Sequence, residues 1–320
     1  MAERHPVWFE RPVLPELRGK VEELAEVLGP RTEADAYAGL GEARGSVVGA
    51  SSFDAEWIAR APQMRVIART GIGVDKVDVR EATRRGIVVC NAPDGPTIST
   101  AEHAVALMLA VVKDLKGSAR RLQEGETNLY AGYTGVELAG KTLGLVGYGR
   151  IARRVAEAGR GLRMNVVAYD PYCPPGEFGA TASVGSLERL LAAADVVSIH
   201  IPLTEETSGL FDAAAFGAMK EGAVFVNTAR GGLVDHNALL GALESGRLFG
   251  AGLDVTEPEP LPADHPLLNR DDVIVTPHIA SGTAEGKRRL FETASEQVLM
   301  ELDGERPPHV VNPEVWDRQE

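Results

Sequence analysis

The sequence predicts an α/β protein made of two doubly wound parallel-sheet domains. Short apolar segments alternate with segments of helical period twice along the chain, first over residues 1–98 and again over residues 142–282. This alternation is typical of βαβ units, which build parallel sheets covered by helices on both faces. A long apolar segment separates the two series, and 320 residues leave room for two domains of ordinary size.

The first series begins with a strand and ends before the long apolar segment. Gly29-Pro30 stops its first helix, since proline cannot continue a helix and glycine commonly ends one. The predicted elements, in chain order, are a strand at 7–9, a helix at 17–28, a strand at 46–50, a helix at 53–60, a strand at 64–68, a helix at 79–85 and a strand at 87–90.

The segment between the two series predicts one long buried helix. Ser99-Thr-Ala-Glu102 has the pattern of a capping box, and the helix is expected from His103 to about Leu122. Its first part is apolar nearly all round, which indicates burial in a spine or a subunit interface. The polar, glycine-rich residues 125–140 are predicted to form a loop.

The second series has nearly six strand and helix alternations, the number of a complete doubly wound dinucleotide domain. A last helix at 283–302 has no strand after it, and Val310-Val-Asn-Pro313 could return to the first unit. The predicted elements before that last helix are strands at 143–146, 165–169, 196–201, 223–227, 251–255 and 273–276, with helices at 151–162, 187–193, 213–219 and 235–245.

The glycine turn that opens the second series predicts a dinucleotide site. In Gly147-Tyr-Gly-Arg-Ile-Ala152, Gly147 permits the tight bend and Gly149 lets a pyrophosphate approach the backbone. The N–H groups and dipole of the following helix favour phosphate. Asp170 ends the next strand, where it can bind a ribose 2′-hydroxyl and would repel a 2′-phosphate. The pattern therefore favours NAD over NADP, although a structural βαβ unit with a surface aspartate is the alternative.

Composition argues against several classes of partner. The net charge of −13 disfavours nucleic acid and anionic membranes, because both are bound through Lys and Arg. Cys90 and Cys173 have neither metal-site spacing nor a disulfide framework, so we expect no metal. No run of 18 apolar residues and no apolar signal segment are visible. We therefore expect a cytoplasmic protein that does not act at a membrane.

Three ionisable residues follow the late strands, at the sheet edge where open α/β sheets bind ligands. Arg230 can hold a carboxylate with two parallel N–H bonds and polarise a neighbouring carbonyl. His278 can exchange a proton near neutral pH, and a carboxylate such as Glu259 can orient it. Taken singly, each could equally be a turn or surface residue.

Motifs in the same order along the chain resemble the D-isomer-specific 2-hydroxyacid dehydrogenase family over essentially the whole sequence. The segments that carry the resemblance are Arg69-Thr-Gly-Ile-Gly-Val-Asp-Lys-Val-Asp78, Ala101-Glu-His-Ala-Val-Ala-Leu-Met-Leu-Ala110, Gly147-Tyr-Gly-Arg-Ile-Ala152, Val197-Ser-Ile-His-Ile-Pro-Leu-Thr204, Asn227-Thr-Ala-Arg-Gly-Gly-Leu-Val-Asp235, Gly252-Leu-Asp-Val-Thr-Glu-Pro-Glu-Pro260 and Thr276-Pro-His-Ile-Ala-Ser281.

The resemblance implies roles for individual residues. Arg230 would bind the substrate carboxylate and carbonyl, His278 would be the general acid/base, and Glu259 its partner, with Glu257 only a nearby acid. Backbone N–H groups of Ile72 and Gly73 would bind the substrate carboxylate. Glutamate rather than glutamine at 259 disfavours the formate dehydrogenase branch. The implied NAD-binding residues are Gly147, Gly149, Arg150, Ile151, Asp170, His200, Ile201, Pro202, Thr207, Thr228, Ala229, Asp254 (at the carboxamide), His278 and Ser281.

The resemblance also implies the domain organisation. Residues 1–99 and 283–320 would form a flavodoxin-like substrate domain, and residues 100–282 a Rossmann NAD domain, with a cleft between. A homodimer is expected through the helix at 101–118 and the arm at 123–139. The substrate side-chain pocket is expected around Ala50–Phe53, Ile72 and Pro93–Pro96.

The expected activity is hydride transfer between NAD(H) and a small D-2-hydroxy or 2-keto acid. Two alternatives remain open at this point. One is D-3-phosphoglycerate dehydrogenase itself, whose substrate phosphate would require additional Lys or Arg at the site. The other is an NAD-sensing protein that resembles the corepressor relatives of the family and would bind NADH without turnover.

Overall fold

The computed structural model describes residues 4–32, 34–49 and 51–317. The chain forms two compact units, one of residues 1–96 with 282–320 and the other of residues 97–281. The sequence-based boundaries at 99/100 and 282/283 lie within three residues of these.

The helices and strands alternate as the βαβ pattern requires. In chain order they are β1 His5–Phe9, α1 Pro15–Leu24, β2 Ala25–Leu28, β3 Gly45–Val48, α2 Ala55–Ala59, β4 Val66–Arg69, α3 Val79–Arg84, β5 Val88–Cys90, α4 Thr97–Val112, α5 Leu115–Gln123, α6 Leu129–Gly132, β6 Thr142–Val146, α7 Arg150–Gly161, β7 Asn165–Tyr169, β8 Ala182–Ser183, α8 Leu187–Ala193, β9 Val196–Ile199, α9 Ala213–Ala218, β10 Ala223–Asn227, α10 His236–Glu244, β11 Leu248–Leu253, α11 Pro266–Asn269, β12 Val273–Val275 and α12 Ala284–Leu302, with short 3-10 turns at Leu40–Glu42, Pro175–Glu177, Gly231–Leu233 and Pro313–Val315.

The first unit contains a five-stranded parallel sheet in the order β2-β1-β3-β4-β5. This is the flavodoxin-like order of a doubly wound sheet, as predicted. The C-terminal helix α12 packs on this sheet, where the Phe291 ring stacks on Phe9 at 5.5 Å between centroids. Ala294 and Val298 of the same helix are fully buried in that core.

One element of the first unit was predicted wrongly. The segment 17–28 was expected to be one helix, but α1 ends at Leu24 and Ala25–Leu28 forms β2. Val27 pairs in parallel with Val7 of β1. This ladder satisfies the backbone groups of the segment through a long-range partner, and helical period does not reveal such a partner. The last residue of the expected strand 46–50, Ala50, lies outside the described residues.

The second unit contains a seven-stranded parallel sheet in the order β8-β7-β6-β9-β10-β11-β12. The first six positions follow the Rossmann order 3-2-1-4-5-6. The order reverses between β6 and β9, and ligands of such sheets bind at the carboxyl ends of the strands there. The sequence missed β8, because two exposed residues carry no periodic signal.

The buried helix α4 packs closely against this second sheet. Its predicted start and extent were wrong: it begins at Thr97, so the supposed capping box lies inside it. It also stops near Asp114, whose φ of +44° breaks the helix before α5. A Cβ on Gly250 would lie 2.8 Å from Val111, and one on Gly252 2.8 Å from Leu107. Glycines in β11 therefore let α4 approach the sheet.

The C-terminal tail returns to the first sheet, as the sequence suggested. The N–H of Val311 donates to the Val89 carbonyl at 2.8 Å. Asn312 is fully buried, and its Oδ1 accepts from Val89 N at 2.7 Å. Its Nδ2 donates to Thr83 Oγ1 at 2.8 Å and to the Ile87 carbonyl at 2.9 Å. The side-chain amide of Asn312 therefore supplies hydrogen-bond partners both to the edge strand of the sheet and to α3.

Replacing Asn312 by alanine should destabilise the first unit by roughly 3 kcal/mol, because buried polar groups would lose their partners. Asn312→Asp should also destabilise it, since a carboxylate cannot donate to Thr83 and Ile87. All three tryptophans lie in the first unit, so urea unfolding followed by tryptophan fluorescence reports the change. Glu314→Gln, on an exposed side chain of the same tail, is the control. An unchanged midpoint in Asn312→Ala would contradict the role of this amide.

Candidate active site

The glycine turn after β6 has the geometry that a dinucleotide site requires. Gly147 has a φ of +88°, and a Cβ there would lie 2.7 Å from the His200 carbonyl oxygen. Only glycine fits that position without strain. Gly149 precedes α7, and a Cβ there would meet no atom within 4 Å. The approach to the α7 N-terminus is therefore open, and its N–H groups can bind phosphate.

Asp170 follows β7 and faces this turn. Its Oδ2 accepts from Tyr148 N at 2.8 Å, and its Oδ1 accepts from Tyr172 N at 2.9 Å. Each carboxylate oxygen has two lone pairs, so each can also accept from a sugar hydroxyl. The predicted ribose-binding residue therefore lies beside the predicted pyrophosphate turn. Arg150 and Ile151 belong to the first turn of α7.

The segment after β9 adjoins the same turn. The N–H of His200 donates to the Val146 carbonyl at 2.7 Å, and the His200 ring Nε2 lies 2.9 Å from Ser198 Oγ. Burial lowers the pKa of His200 to about 4, so its ring is neutral at physiological pH. Further along, Thr207 Oγ1 donates to the Pro202 carbonyl at 2.7 Å. Ile201 lies between these anchored residues.

The segment after β10 carries a buried group that suits a ligand. Thr228 is 8% exposed, and its Oγ1 has no hydrogen-bond partner among the described residues. Buried hydroxyls are nearly always bonded, so a ligand partner is expected here. Ala229 N donates to Asn227 Oδ1 at 2.9 Å, which fixes the bend after the strand. The open turn at Gly149 and this hydroxyl both fit a bound dinucleotide.

Arg230 comes next, directly before the Gly231–Leu233 turn. Its Nη1 donates to the Ala229 carbonyl at 2.7 Å. Gly231 packs so closely on the segment after β11 that a Cβ would overlap the Thr256 backbone. The glycine therefore brings the loop of Arg230 against the loop that leads to Glu259.

His278 and Glu259 form a hydrogen-bonded pair. His278 Nδ1 lies 2.7 Å from Glu259 Oε1, and the two side chains are 38% and 32% exposed. An ionised Glu259 places the proton on Nδ1 and leaves Nε2 as the nitrogen that can exchange a proton with a bound molecule. His278 has a φ of +53°. Non-glycine residues in this left-handed region are uncommon and cluster at functional sites.

The loop of His278 is held by Asp254, which is 1% exposed. Its Oδ1 accepts from Thr276 Oγ1 at 2.6 Å and from Ile279 N at 2.9 Å, and its Oδ2 accepts from Ala280 N at 2.8 Å. Its backbone carbonyl accepts from His278 N at 2.8 Å. Burial acts to raise the pKa of Asp254, but these hydrogen bonds and that of His103 outweigh it and lower the pKa.

His103 is a site residue that the sequence reasoning did not single out. From α4, its Nε2 lies 2.9 Å from Thr276 Oγ1 and 3.4 Å from Asp254 Oδ1. The available signal was a histidine in an otherwise apolar helix. The structure thus brings Arg230, Glu259 and His278 to neighbouring loops of one sheet edge. Ser281 follows the anchored Ala280 at the end of this unit.

The expected carboxylate-binding loop belongs to the first unit. Ile72 and Gly73 follow β4, and the Ile72 side chain is 39% exposed. Asn91 Nδ2 donates to the Ile72 carbonyl at 2.8 Å, and Ala92 N donates to the Gly71 carbonyl at 2.9 Å. These bonds fix the loop at the carboxyl edge of the first sheet.

Comparison with known proteins agrees with this geometry. Residues 105–280 match the family model for the NAD binding domain of the D-isomer specific 2-hydroxyacid dehydrogenases. The chain is a member of this family. This match confirms the predicted NAD cofactor, and the two parallel sheets together with the solved structures of the family confirm the predicted fold. The assignments of individual site residues remain predictions.

Relatives and solved structures of the family are similar over most of the chain. A D-3-phosphoglycerate dehydrogenase of Archaeoglobus fulgidus is 43% identical over 82% of this chain and 50% of its own length. A glyoxylate reductase of Korarchaeum cryptofilum is 40% identical over 82% of this chain and 80% of its own. The D-lactate dehydrogenase of Aquifex aeolicus, solved with NAD and lactic acid, is 28% identical with a TM-score of 0.85 and covers 96% of this chain and 99% of its own. The chain spans about half the length of the phosphoglycerate dehydrogenases it matches first.

The described residues contain neither a metal site nor a membrane-spanning helix. No group of three or more His, Cys, Asp or Glu side chains there could hold a metal ion. Within the same residues, every helix is too short or too polar to cross a membrane.

The lowered pKa of His200 predicts a specific pH dependence of stability. The unfolded histidine binds a proton below about pH 6.5, whereas the folded one does so only near pH 4. Between these values the unfolded state binds more protons, so stability falls as the pH falls, by up to about 3 kcal/mol from this group. His200→Gln should show a correspondingly smaller loss. Urea unfolding of the cofactor-free protein, followed by circular dichroism from pH 7.5 to 4, measures it, and parallel curves for the two proteins would contradict it.

Proposed function

We propose that this chain is an NAD-dependent oxidoreductase that transfers hydride between NAD(H) and a small D-2-hydroxy or 2-keto acid. The observation that carries the proposal is the His278–Glu259 pair, 2.7 Å apart, on loops that leave an NAD domain beside the loop of Arg230. An oriented imidazole and a guanidinium at the carboxyl edge of such a sheet suit the reduction of a keto acid.

Each proposed site residue would have a separate role in the reduction of the keto acid. His278 Nε2 gives a proton to the keto oxygen during reduction, and Glu259 stabilises the imidazolium before that transfer. Arg230 binds the substrate carboxylate and polarises the adjacent carbonyl. The backbone N–H groups of Ile72 and Gly73 bind the same carboxylate. When bound, reduced NAD supplies the hydride to the keto carbon.

We further propose that the cofactor is held along the carboxyl edge of the second sheet. The glycine turn and the α7 N-terminus would hold the pyrophosphate, Asp170 the ribose, and Asp254 the carboxamide in addition to its own loop. The full set of proposed cofactor residues is Gly147, Gly149, Arg150, Ile151, Asp170, His200, Ile201, Pro202, Thr207, Thr228, Ala229, Asp254, His278 and Ser281.

Asp170→Asn should lower kcat/KM for NADH by about tenfold, because a charged acceptor for the ribose hydroxyl is lost. The ratio of NADPH to NADH activity should rise, since the repulsion of a 2′-phosphate is removed. Asp264→Asn, on an exposed loop residue, is the control. Initial rates with both cofactors measure the effect. An Asp170→Asn variant with the wild-type cofactor ratio would show that this carboxylate does not select the cofactor.

The activity itself is tested by NADH oxidation with a panel of keto acids: glyoxylate, hydroxypyruvate, pyruvate, 2-ketobutyrate and 3-phosphohydroxypyruvate. His278→Gln should lose on the order of 10² to 10⁴ in kcat with the best substrate. Glu259→Gln should also be slow, whereas Glu257→Gln, two residues away, should stay close to wild type. A His278→Gln variant that keeps more than about half of the wild-type kcat would contradict the assignment of His278 as the general acid/base.

A second candidate function is D-3-phosphoglycerate dehydrogenase, favoured by the names of the most similar relatives. The substrate panel separates it from other keto-acid reductases through 3-phosphohydroxypyruvate. A panel without turnover, together with tight NADH binding, would instead support an NAD-sensing role.

The proposed assembly is a homodimer formed through α4, α5 and the following arm. Leu115 of α5 is 56% exposed and Leu122 is 66% exposed, while Tyr130 in the arm is 94% exposed. Large apolar side chains exposed along one segment are typical of an interaction surface. Leu115 lies in the helix at 101–118 and Tyr130 in the arm at 123–139, the two segments expected from the family resemblance, and Leu122 lies between them, which supports this proposal.

The proposed setting is the cytoplasm. Cys90 and Cys173 are both free thiols in the structure. Burial raises the pKa of the Cys90 thiol to about 12, which makes it unreactive. Cysteines used singly rather than as disulfides are typical of reducing compartments.

A further inference from the structure

A surface pocket in the first unit adjoins the expected substrate side-chain pocket through Ser51 and is otherwise lined by residues to which no role has been given. It has a volume of about 390 Å³ and is lined by Glu10, Arg11, Pro12, Arg31 and Ser51. The lining residues come from three segments that directly follow strands: 10–12 follow β1, Arg31 follows β2 and Ser51 follows β3. The pocket therefore lies at the carboxyl edge of a doubly wound sheet, where such sheets bind ligands.

The acidic side chain of the pocket is already committed to the fold. Glu10 is 5% exposed. Its Oε1 accepts from Ser51 N at 3.1 Å and from Ser51 Oγ at 2.6 Å, and its Oε2 accepts from Gly49 N. These three donors fix the carboxylate of Glu10 in place, so Glu10 forms a fixed part of the pocket wall.

The two arginines give the pocket its chemistry. Arg31 Nη1 donates to Ser51 Oγ, which orients its guanidinium at the pocket. A Cβ on Gly49 would lie 3.6 Å from Arg11 Nε, so the Arg11 head group lies beside the same loop. Each guanidinium has five N–H donors, and planar forks of this kind bind phosphate with paired hydrogen bonds. The chain has a net charge of −13, so two arginines at one pocket form a local positive site that can bind a dianion.

The pocket lies at a suitable distance from the proposed carboxylate loop. In the sheet, β1 and β4 are separated only by β3. Adjacent strands lie about 4.8 Å apart, so the loops after β1 and β4 are separated by about 10 Å. A three-carbon acid with a terminal phosphate spans about 6 Å between its two anionic centres. Adding about 3 Å for the hydrogen bonds at each end extends the reach to about 12 Å, which covers this separation. Arg31 follows β2, one strand further away, but its guanidinium reaches Ser51 after β3.

We propose that Arg11 and Arg31 bind the terminal phosphate monoester of a three-carbon 2-keto acid whose carboxylate is bound at Ile72–Gly73. This inference rests on the proposed function and specifies its substrate class. Glyoxylate and pyruvate are too short to reach the pocket, so they would use only the carboxylate loop. Both arginines act in specificity and take no part in the proton or hydride transfer.

The test compares 3-phosphohydroxypyruvate with hydroxypyruvate, which differ only in the phosphate. The wild type should prefer the phosphorylated acid. Arg11→Met and Arg31→Met should each lower kcat/KM for it by about tenfold or more, mainly through KM, because a charge-assisted hydrogen bond is lost. Their kcat/KM for hydroxypyruvate should stay close to wild type, which also shows that the variants fold. Arg31→Lys should recover part of the loss.

Arg18→Met is the matched control, since Arg18 is an exposed arginine of α1 that pairs with Glu22. Equal losses with both substrates, or a wild type that prefers hydroxypyruvate, would overturn the phosphate assignment while leaving the proposed function intact. If no keto acid is reduced, the proposed function fails, and calorimetry with 3-phosphoglycerate then decides the inference. Binding that Arg31→Met weakens about tenfold would support it, and equal binding would overturn it.

Discussion

The candidate active site depends on one buried carboxylate, that of Asp254. Donors reach it from three directions: the hydroxyl of Thr276, the backbone N–H groups of Ile279 and Ala280, and His103 on α4. Burial alone would favour the protonated acid, but these donors outweigh burial and lower its pKa. An ionised carboxylate that holds both ends of a short loop fixes the left-handed backbone of His278 between them.

The two parallel sheets could be predicted from local sequence signals, because these signals agree with one another. The order of the strands within each sheet could not be predicted from them. Apolar runs, glycine turns and helical periods predict both parallel sheets, and the helix predicted to start at 235 has Asp235 as its N-cap. The strand Ala25–Leu28 was missed because its partner β1 lies about twenty residues away, and only pairing with it overrides the helical period. The supposed capping box at Ser99 was wrong because α4 begins two residues earlier, at Thr97, so Ser99 and Thr100 are buried inside the helix.

The position of the three candidate residues at one sheet edge was more predictable than the contacts that support them. Arg230, Glu259 and His278 could be found because each directly follows a strand of one parallel sheet, and the carboxyl ends of such strands share an edge. His103 contacts Thr276 across 173 positions of sequence. Arg11 and Arg31 follow different strands of the first sheet, so nothing in their spacing indicates one pocket. Such contacts become visible only when the strand order is known.

Substrate selection and chemistry are subject to different physical constraints in this chain. Replacing Asp254 would leave buried hydrogen-bond donors without an acceptor. A change that frees the loop of His278 would therefore also destabilise the second unit. Arg11 and Arg31 are exposed side chains, and the described contact that orients Arg31 is a single hydrogen bond to Ser51. Their replacement costs the fold little, because exposed positions tolerate substitution. Under the proposed roles, selection for a different acid can therefore act on this pocket without disturbing the residues proposed to move the proton.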